Sequence, residues 1–179
     1  METAFTNDPQ LVSLGLVIGR LVFGLLFAAH GAQKLFGWFG GYGLNATGEF
    51  MVQLGFPNGR LFAGLSGLGE FVAGLLIALG FLGPIGPALA VAGMIVAMRT
   101  VHRKHGLFAT NNGIELPLLY ATGATAFAFI EYGRYSLDAL LGLTSLWTPV
   151  IIVGALAIGV LGAIVNLALR HTPVQAKTA

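Results

Sequence analysis

The sequence contains no cysteine and very few charged residues. Its 179 residues include 9 Lys plus Arg and 7 Asp plus Glu, or 9% of the chain, against roughly a quarter in an average soluble domain. The lack of cysteine excludes disulfides, thiol redox centres, c-type haem attachment and thiolate-bound iron–sulfur clusters. The scarcity of charge excludes a water-soluble globule, because too few polar groups exist to cover its surface. Lipid is therefore the expected solvent on most sides.

Long apolar runs, in contrast, are abundant. The chain is 56% hydrophobic and contains 27 glycines, and small residues let membrane helices approach closely. A bilayer core about 30 Å thick requires roughly 20 apolar residues per helix. Five runs of about this length predict an all-α, polytopic transmembrane bundle; they cover residues 11–36, 61–82, 84–101, 114–130 and 148–169.

The basic residues predict the topology of these five spans. The segment 99–105 is the densest basic loop, and such loops stay cytoplasmic. Placing it inside puts seven basic residues inside and leaves only Arg134 outside; the seven are Lys34, Arg60, Arg99, Arg103, Lys104, Arg170 and Lys177. We therefore expect an N-out, C-in protein with a short extracytoplasmic segment at 1–10. The scattered charges do not favour a nucleic-acid partner.

The loop between the first two runs predicts an interfacial amphipathic helix at about 45–56. Thr47 is expected to cap its N-terminus, and Phe50, Met51 and Leu54 share one face. Gly55 is expected to stop it. The helix is predicted to lie along the cytoplasmic membrane surface.

Two charges fall near the middle of apolar runs, where each costs about 2.5 to 3.5 kcal/mol on insertion scales. Arg20 lies ten residues into the first run and Glu70 ten residues into the second. Antiparallel packing of these helices predicts an Arg20–Glu70 ion pair. Such a pair would serve either as a structural register device or as part of a functional site.

A polar stripe extends along the first run. His30 and Lys34 are four residues apart, and Arg20 lies within about 40° of Lys34 at 100° per residue. His30 and Glu70 are candidate proton-exchanging groups, with Arg20 and Lys34 as candidate substrate-binding cations. Glu115 opens the fourth run, either as a first-turn acid favoured by the helix dipole or as an inward-pointing proton acceptor. The alternatives are that His30 only packs within the bundle and that Lys34 extends its ammonium group to the lipid headgroups.

The fifth run contains a face of small residues that predicts close helix packing, within the chain or in a homo-oligomer. Its members are Ala155, Gly159, Ala163 and Asn166. His102 and His105 have the spacing of a metal-binding pair, but their basic neighbours favour a solvated loop, so we expect no metal.

Several short motifs follow one another in an order that resembles the DoxX family. They are His30-Gly31-x-x-Lys34-Leu35-Phe36, Gly40-Gly41, Phe50-Met51, Leu54-Gly55-Phe56-Pro57, Glu70, Gly74, Gly80 and Ser136-Leu137-Asp138. The resemblance covers about residues 14–142. It implies a four-helix membrane core, here at 11–142. The fifth spanning helix and short cytoplasmic tail expected at 143–179 lie beyond that unit. The resemblance also implies a bacterial inner membrane.

Family members are often labelled oxidoreductases through similarity to DoxD-type subunits of thiosulfate:quinone oxidoreductase. The resemblance therefore favours a membrane oxidoreductase or a quinone-interacting subunit, with quinone as the candidate cofactor. A protein partner or diffusible reductant would have to supply the electrons, because no haem, iron–sulfur or nucleotide motif is present. A non-catalytic scaffold in a membrane complex is the second hypothesis. A small-solute carrier is the third hypothesis, and it ranks last because no paired inverted repeat is visible.

Overall fold

The computed structural model describes residues 8–130 and 132–171, and in this part of the chain the regular structure is helical throughout. The helices are α1 (Pro9–Phe36), α2 (Gly43–Gln53), α3 (Gly59–Leu79), α4 (Ile85–Ala97), α5 (Glu115–Ile130), α6 (Leu137–Leu140) and α7 (Pro149–Ala168). Among the described residues, four helical stretches are long and apolar enough to cross a membrane, and α4 counts as one of them because it continues through irregular helical turns to His105. The fifth, α5, is apolar but has only 16 residues. The predicted transmembrane helix bundle is confirmed.

The ends of the long helices follow local chemistry. The Asp8 and Asn58 side chains accept hydrogen bonds from the first backbone N–H groups of α1 and α3. Thr148 caps α7 in the same way. Gly37 and Gly80 end α1 and α3 in the left-handed conformation, which glycine adopts without steric cost.

α1 and α3 pack antiparallel through glycines that face each other. A Cβ atom at Gly24 would collide with the carbonyl oxygen of Gly74, and one at Gly31 would collide with the backbone of Gly67 and Phe71. The two backbones are therefore in direct contact at two levels about two turns apart. These contacts fix the register of α1 against α3.

The remaining helices complete a bundle with α7 on its outside. α3 packs on α4, α4 packs on α5, and α5 returns to α1. The buried core contains residues from all four of these helices, including Phe27, Ile77, Val91 and Ala124. α7 packs mainly against α4. The four-helix core therefore has a fifth long helix beside it.

The segment before α3 forms the predicted amphipathic helix, with one correction. α2 packs against α3, and Met51 is buried with Phe56 and Phe62. Thr47 does not cap α2, because the helix begins four residues earlier, at Gly43. Its hydroxyl instead donates a long 3.5 Å hydrogen bond to the carbonyl oxygen of Lys34.

The two ends of the bundle differ in charge. The end where α1, α4 and α7 finish and α3 and α5 begin carries Lys34, Arg60, Arg99, Arg103, Lys104 and Arg170. We call it the basic end. Arg170 joins α7 to the segment after α2 there, since its guanidinium donates to the carbonyl oxygen of Leu54 at 2.6 and 2.8 Å. The predicted inside residue Lys177 lies outside the described residues.

A buried aspartate organises the opposite end. The Asp138 side chain is only 1% exposed and accepts hydrogen bonds from the backbone N–H groups of Leu82 and Gly83 and from Nε1 of Trp147. Nearby, the Tyr132 hydroxyl donates to the carbonyl oxygen of Gly83 at 2.8 Å. Burial and, secondarily, the Asp138 charge raise the pKa of Tyr132, so the phenol remains a donor at any physiological pH. Asp138 thus ties together the α3–α4 and α6–α7 connections.

Candidate ligand-binding cavity at the basic end

A buried ion pair joins α1 to α3 near the basic end. Nζ of Lys34 lies 2.5 Å from Oε1 of Glu70 and donates to Oγ of Ser66 at 3.0 Å. The Glu70 side chain is 4% exposed and that of Lys34 is 29% exposed. The lysine stem reaches this position because Gly67, packed directly beneath it, has no side chain. The structure therefore places a carboxylate and an ammonium group together inside the bundle.

The predicted Arg20–Glu70 ion pair is wrong. The glycine contacts place Arg20 beside Gly80 at the far end of α3, which is ten residues, or about 15 Å of helix, from Glu70. Arg20 is buried there and donates to the carbonyl oxygens of Leu79, at 3.2 Å, and Tyr135. It thus binds one carbonyl group at the C-terminal end of α3 and one in the loop before α6.

The ion pair forms part of the wall of a cavity of about 340 Å³. The cavity lies between α2, α3, α4 and α7, outside the core shared by the four helices. Most of its lining is apolar. The polar groups that line it are Lys34, Thr47, Ser66, Glu70, Thr100, His102 and Asn166.

Two buried oxygen atoms of cavity-lining residues have no hydrogen-bond partner among the described residues. They are Oε2 of Glu70 and Oδ1 of Asn166. Leaving such an atom unpaired costs about 1 to 3 kcal/mol, so buried polar atoms without partners are rare in folded proteins. Both atoms are acceptors, so a group that pairs with either of them must donate a hydrogen bond.

The structure places the other predicted site residues away from this cavity. His30 is exposed and does not line the cavity, and its ring edge lies against Tyr120 at a centroid distance of 5.7 Å. Glu115 lies at the start of α5, where its carboxylate accepts a hydrogen bond from the backbone N–H of Ala109 at 2.7 Å. Of the five charged or titratable residues predicted for the site, only Lys34 and Glu70 come together.

The small-residue face of α7 packs within the chain. A Cβ atom at Gly159 would approach the carbonyl oxygen of Ala88 in α4 to 2.5 Å, and Ala163 is buried. Ala155, one turn before Gly159, is half-buried. Asn166, at the end of the same face, reaches the cavity rather than another helix surface.

Ser66 and Asn166 are among the polar lining residues that sequence reasoning did not assign to the site. Ser66 precedes Glu70 by four residues and therefore shares its face of α3. Asn166 was assigned to packing alone, although it is the only strongly polar side chain between Thr148 and Arg170. A buried amide in an apolar helix is a signal of a polar site in the membrane.

Together these features define a polytopic helical membrane protein with a buried ion pair beside a largely apolar cavity. The DoxX family model matches residues 15–103, about half of the chain, and the chain belongs to this family. The match includes Lys34, Ser66 and Glu70, whereas Asn166 lies beyond it. Neither the curated proteins nor the solved structures contain a match to the chain.

Proposed function

We propose that this DoxX protein is a quinone-binding membrane subunit, and that the headgroup binds in the cavity beside Lys34 and Glu70. The observation that carries the proposal is an ammonium group beside a buried carboxylate in the wall of a largely apolar cavity. Ligand sites commonly combine apolar walls with a few convergent polar groups. A flat apolar ring with polar oxygens at its edge matches this arrangement.

The dimensions and position of the cavity also support a quinone. Its volume of about 340 Å³ is at the lower end of the range for small-molecule sites, roughly 300 to 1,000 Å³. Its lining includes Leu65 and Leu89, which are 54% and 40% exposed on the outer surface of the bundle. An isoprenoid tail would leave the cavity along these side chains and enter the bilayer.

The chain's own residues would bind and exchange protons, and a partner protein would supply or accept the electrons. A bound quinone supplies the redox chemistry. Lys34 would donate a hydrogen bond to a ligand oxygen and stabilise negative charge, while the Glu70 carboxylate would accept or return a proton. The proposal gives His30, Glu115 and Arg20 no direct contact with the ligand, because none of them lines the cavity.

We also propose an N-out, C-in orientation in a bacterial inner membrane, with the basic end in the cytoplasm. The support is the clustering of six of the predicted inside residues at one end of the bundle, with Arg134 at the other. The cavity would then lie near the cytoplasmic surface. A soluble electron-transfer partner on that side would be within reach of it.

A cavity-filling variant tests the proposed site. A Cβ atom at Gly93, which lines the cavity, would meet nothing within 4 Å, so Gly93→Phe would place a ring in the space without displacing backbone. We expect it to weaken binding of duroquinone and durohydroquinone at least about tenfold, measured by equilibrium dialysis against protein in lipid nanodiscs.

Gly154→Phe is the matched control. A Cβ atom at Gly154 also meets nothing within 4 Å, but this glycine does not line the cavity. Its binding should equal that of the wild type. Equal binding by both variants would place the site elsewhere, and a wild-type protein that binds neither compound would contradict the proposed function.

A further inference from the structure

The hydrogen-bonding capacity at the ion pair is asymmetric. An ammonium group has three N–H donors, and Lys34 uses one for Ser66 and one for Oε1 of Glu70. The third is available to a ligand oxygen. Oε2 of Glu70 is an acceptor without a partner among the described residues. A single ligand oxygen at this position would therefore meet one free donor and one free acceptor.

A hydroxyl group satisfies both, whereas a carbonyl group satisfies only one. A hydroxyl donates one hydrogen bond and accepts others, and a carbonyl oxygen can only accept. A carbonyl ligand would leave the buried Oε2 atom of Glu70 unpaired. The second unpaired oxygen, Oδ1 of Asn166, increases the preference, since it too requires a donor.

We propose that the cavity selects the reduced, hydroxyl-bearing form of its ligand, a hydroquinone, over the quinone. This inference rests on the proposed function, which requires only that the headgroup binds there. Glu70 is then the group that accepts the hydroxyl hydrogen, and Lys34 donates to the same oxygen. Selection comes from two buried acceptors that a quinone cannot satisfy.

Durohydroquinone and duroquinone provide a direct test, because they have the same carbon skeleton and differ by two hydrogens. Binding is measured anaerobically by equilibrium dialysis against wild-type protein in lipid nanodiscs. One additional hydrogen bond to a buried charged group predicts that durohydroquinone binds at least about tenfold more tightly. The dimethyl ether of durohydroquinone, which has no hydroxyl hydrogen, should lose this advantage.

The outcomes separate this inference from the proposed function. Equal affinity for the two forms, or tighter binding of duroquinone, would overturn the selectivity and leave quinone binding intact. Failure of both forms to bind would overturn both proposals. Tight binding of the dimethyl ether would also refute the inference, because shape rather than hydrogen bonding would then determine affinity.

Glu70→Gln links the selectivity to the carboxylate. The amide retains an oxygen for Lys34 but places an N–H donor where Oε2 stands, so the preference for durohydroquinone should fall to about threefold or less, or reverse. Glu49→Gln makes the same chemical change on the exposed face of α2 and should keep the wild-type ratio. An unchanged ratio in Glu70→Gln would contradict the proposal.

A second variant tests the selectivity even if Glu70→Gln does not fold. Asn166→Leu replaces the other unpaired acceptor with an apolar side chain. It should weaken durohydroquinone binding more than duroquinone binding and so reduce their ratio. A ratio equal to that of the wild type would show that Oδ1 of Asn166 makes no contribution and would contradict the two-acceptor account.

Discussion

Lys34→Met should lower the free energy of unfolding by about 3 kcal/mol, because it leaves the Glu70 carboxylate buried without its partner. Removing one member of a buried ion pair costs about 3 to 5 kcal/mol. The low end applies here since the Lys34 side chain is 29% exposed and Glu70 only 4%. Methionine preserves the length of the apolar stem, so the loss reports the charge rather than the packing.

The unfolding of Lys34→Met can be followed by circular dichroism during titration with a denaturing detergent. Lys104→Met, in an exposed loop at the same end of the bundle, is the matched control and should match the wild type. The double variant Lys34→Met/Glu70→Leu should recover most of the loss, because it removes both charges. A wild-type midpoint for Lys34→Met would contradict the buried pair.

Asp138→Ala should be equally disruptive at the opposite end, lowering the free energy of unfolding by about 3 to 5 kcal/mol. The carboxylate accepts three hydrogen bonds, from Leu82, Gly83 and Trp147, and each buried donor left unpaired costs about 1 to 3 kcal/mol. The total loss is smaller than the sum of these three costs, because the loops relax. The α3–α4 and α6–α7 connections would then lose their common attachment.

Asp138→Asn provides a graded comparison. The amide oxygen can still accept, but the amide nitrogen would face a backbone donor, so the loss should be intermediate. The same detergent titration measures both variants, and the emission maximum of Trp147 reports on its freed indole. Wild-type stability for Asp138→Ala would show that solvent satisfies the three donors and that the buried network does not hold the loops.

The helices were predictable because apolar length is a strong local signal. The predicted run 114–130 begins one residue before α5 and ends at the same residue. The predicted run 148–169 begins one residue before α7 and ends one residue after it. Ser136 and Thr148 cap α6 and α7 through donors three residues further along the chain, which shows that such caps depend on neighbours in sequence. The buried position of Asp138 was not predictable, because the N–H groups of Leu82 and Gly83 come from a connection that is distant in sequence.

The pairing of charges was not predictable from position within each run. The expectation of an Arg20–Glu70 pair assumed that the midpoints of the two runs lie at the same depth. α1 is 28 residues long and α3 is 21, and the Gly24–Gly74 and Gly31–Gly67 contacts determine their register instead. With several glycines in each helix, the sequence alone permits more than one such register.

The candidate site was therefore only partly predictable. Lys34 and Glu70 were both identified as costly intramembrane charges, which is a property of sequence. Their meeting at one cavity depends on the α1–α3 register. The contribution of Asn166 depends on how α7 packs beside α4, and no local pattern determines that position.

The most direct test of the account is to locate the bound ligand by photoaffinity labelling. An azidoquinone is irradiated with the protein in lipid nanodiscs, with and without excess durohydroquinone, and labelled residues are identified by mass spectrometry. We predict competable labelling on cavity-lining segments of α3, α4 and α7, between Leu65 and Glu70, Leu89 and Ala97, and Gly162 and Asn166. Competable labelling confined to residues outside the cavity lining, such as His30 and Tyr120, would contradict the proposed site.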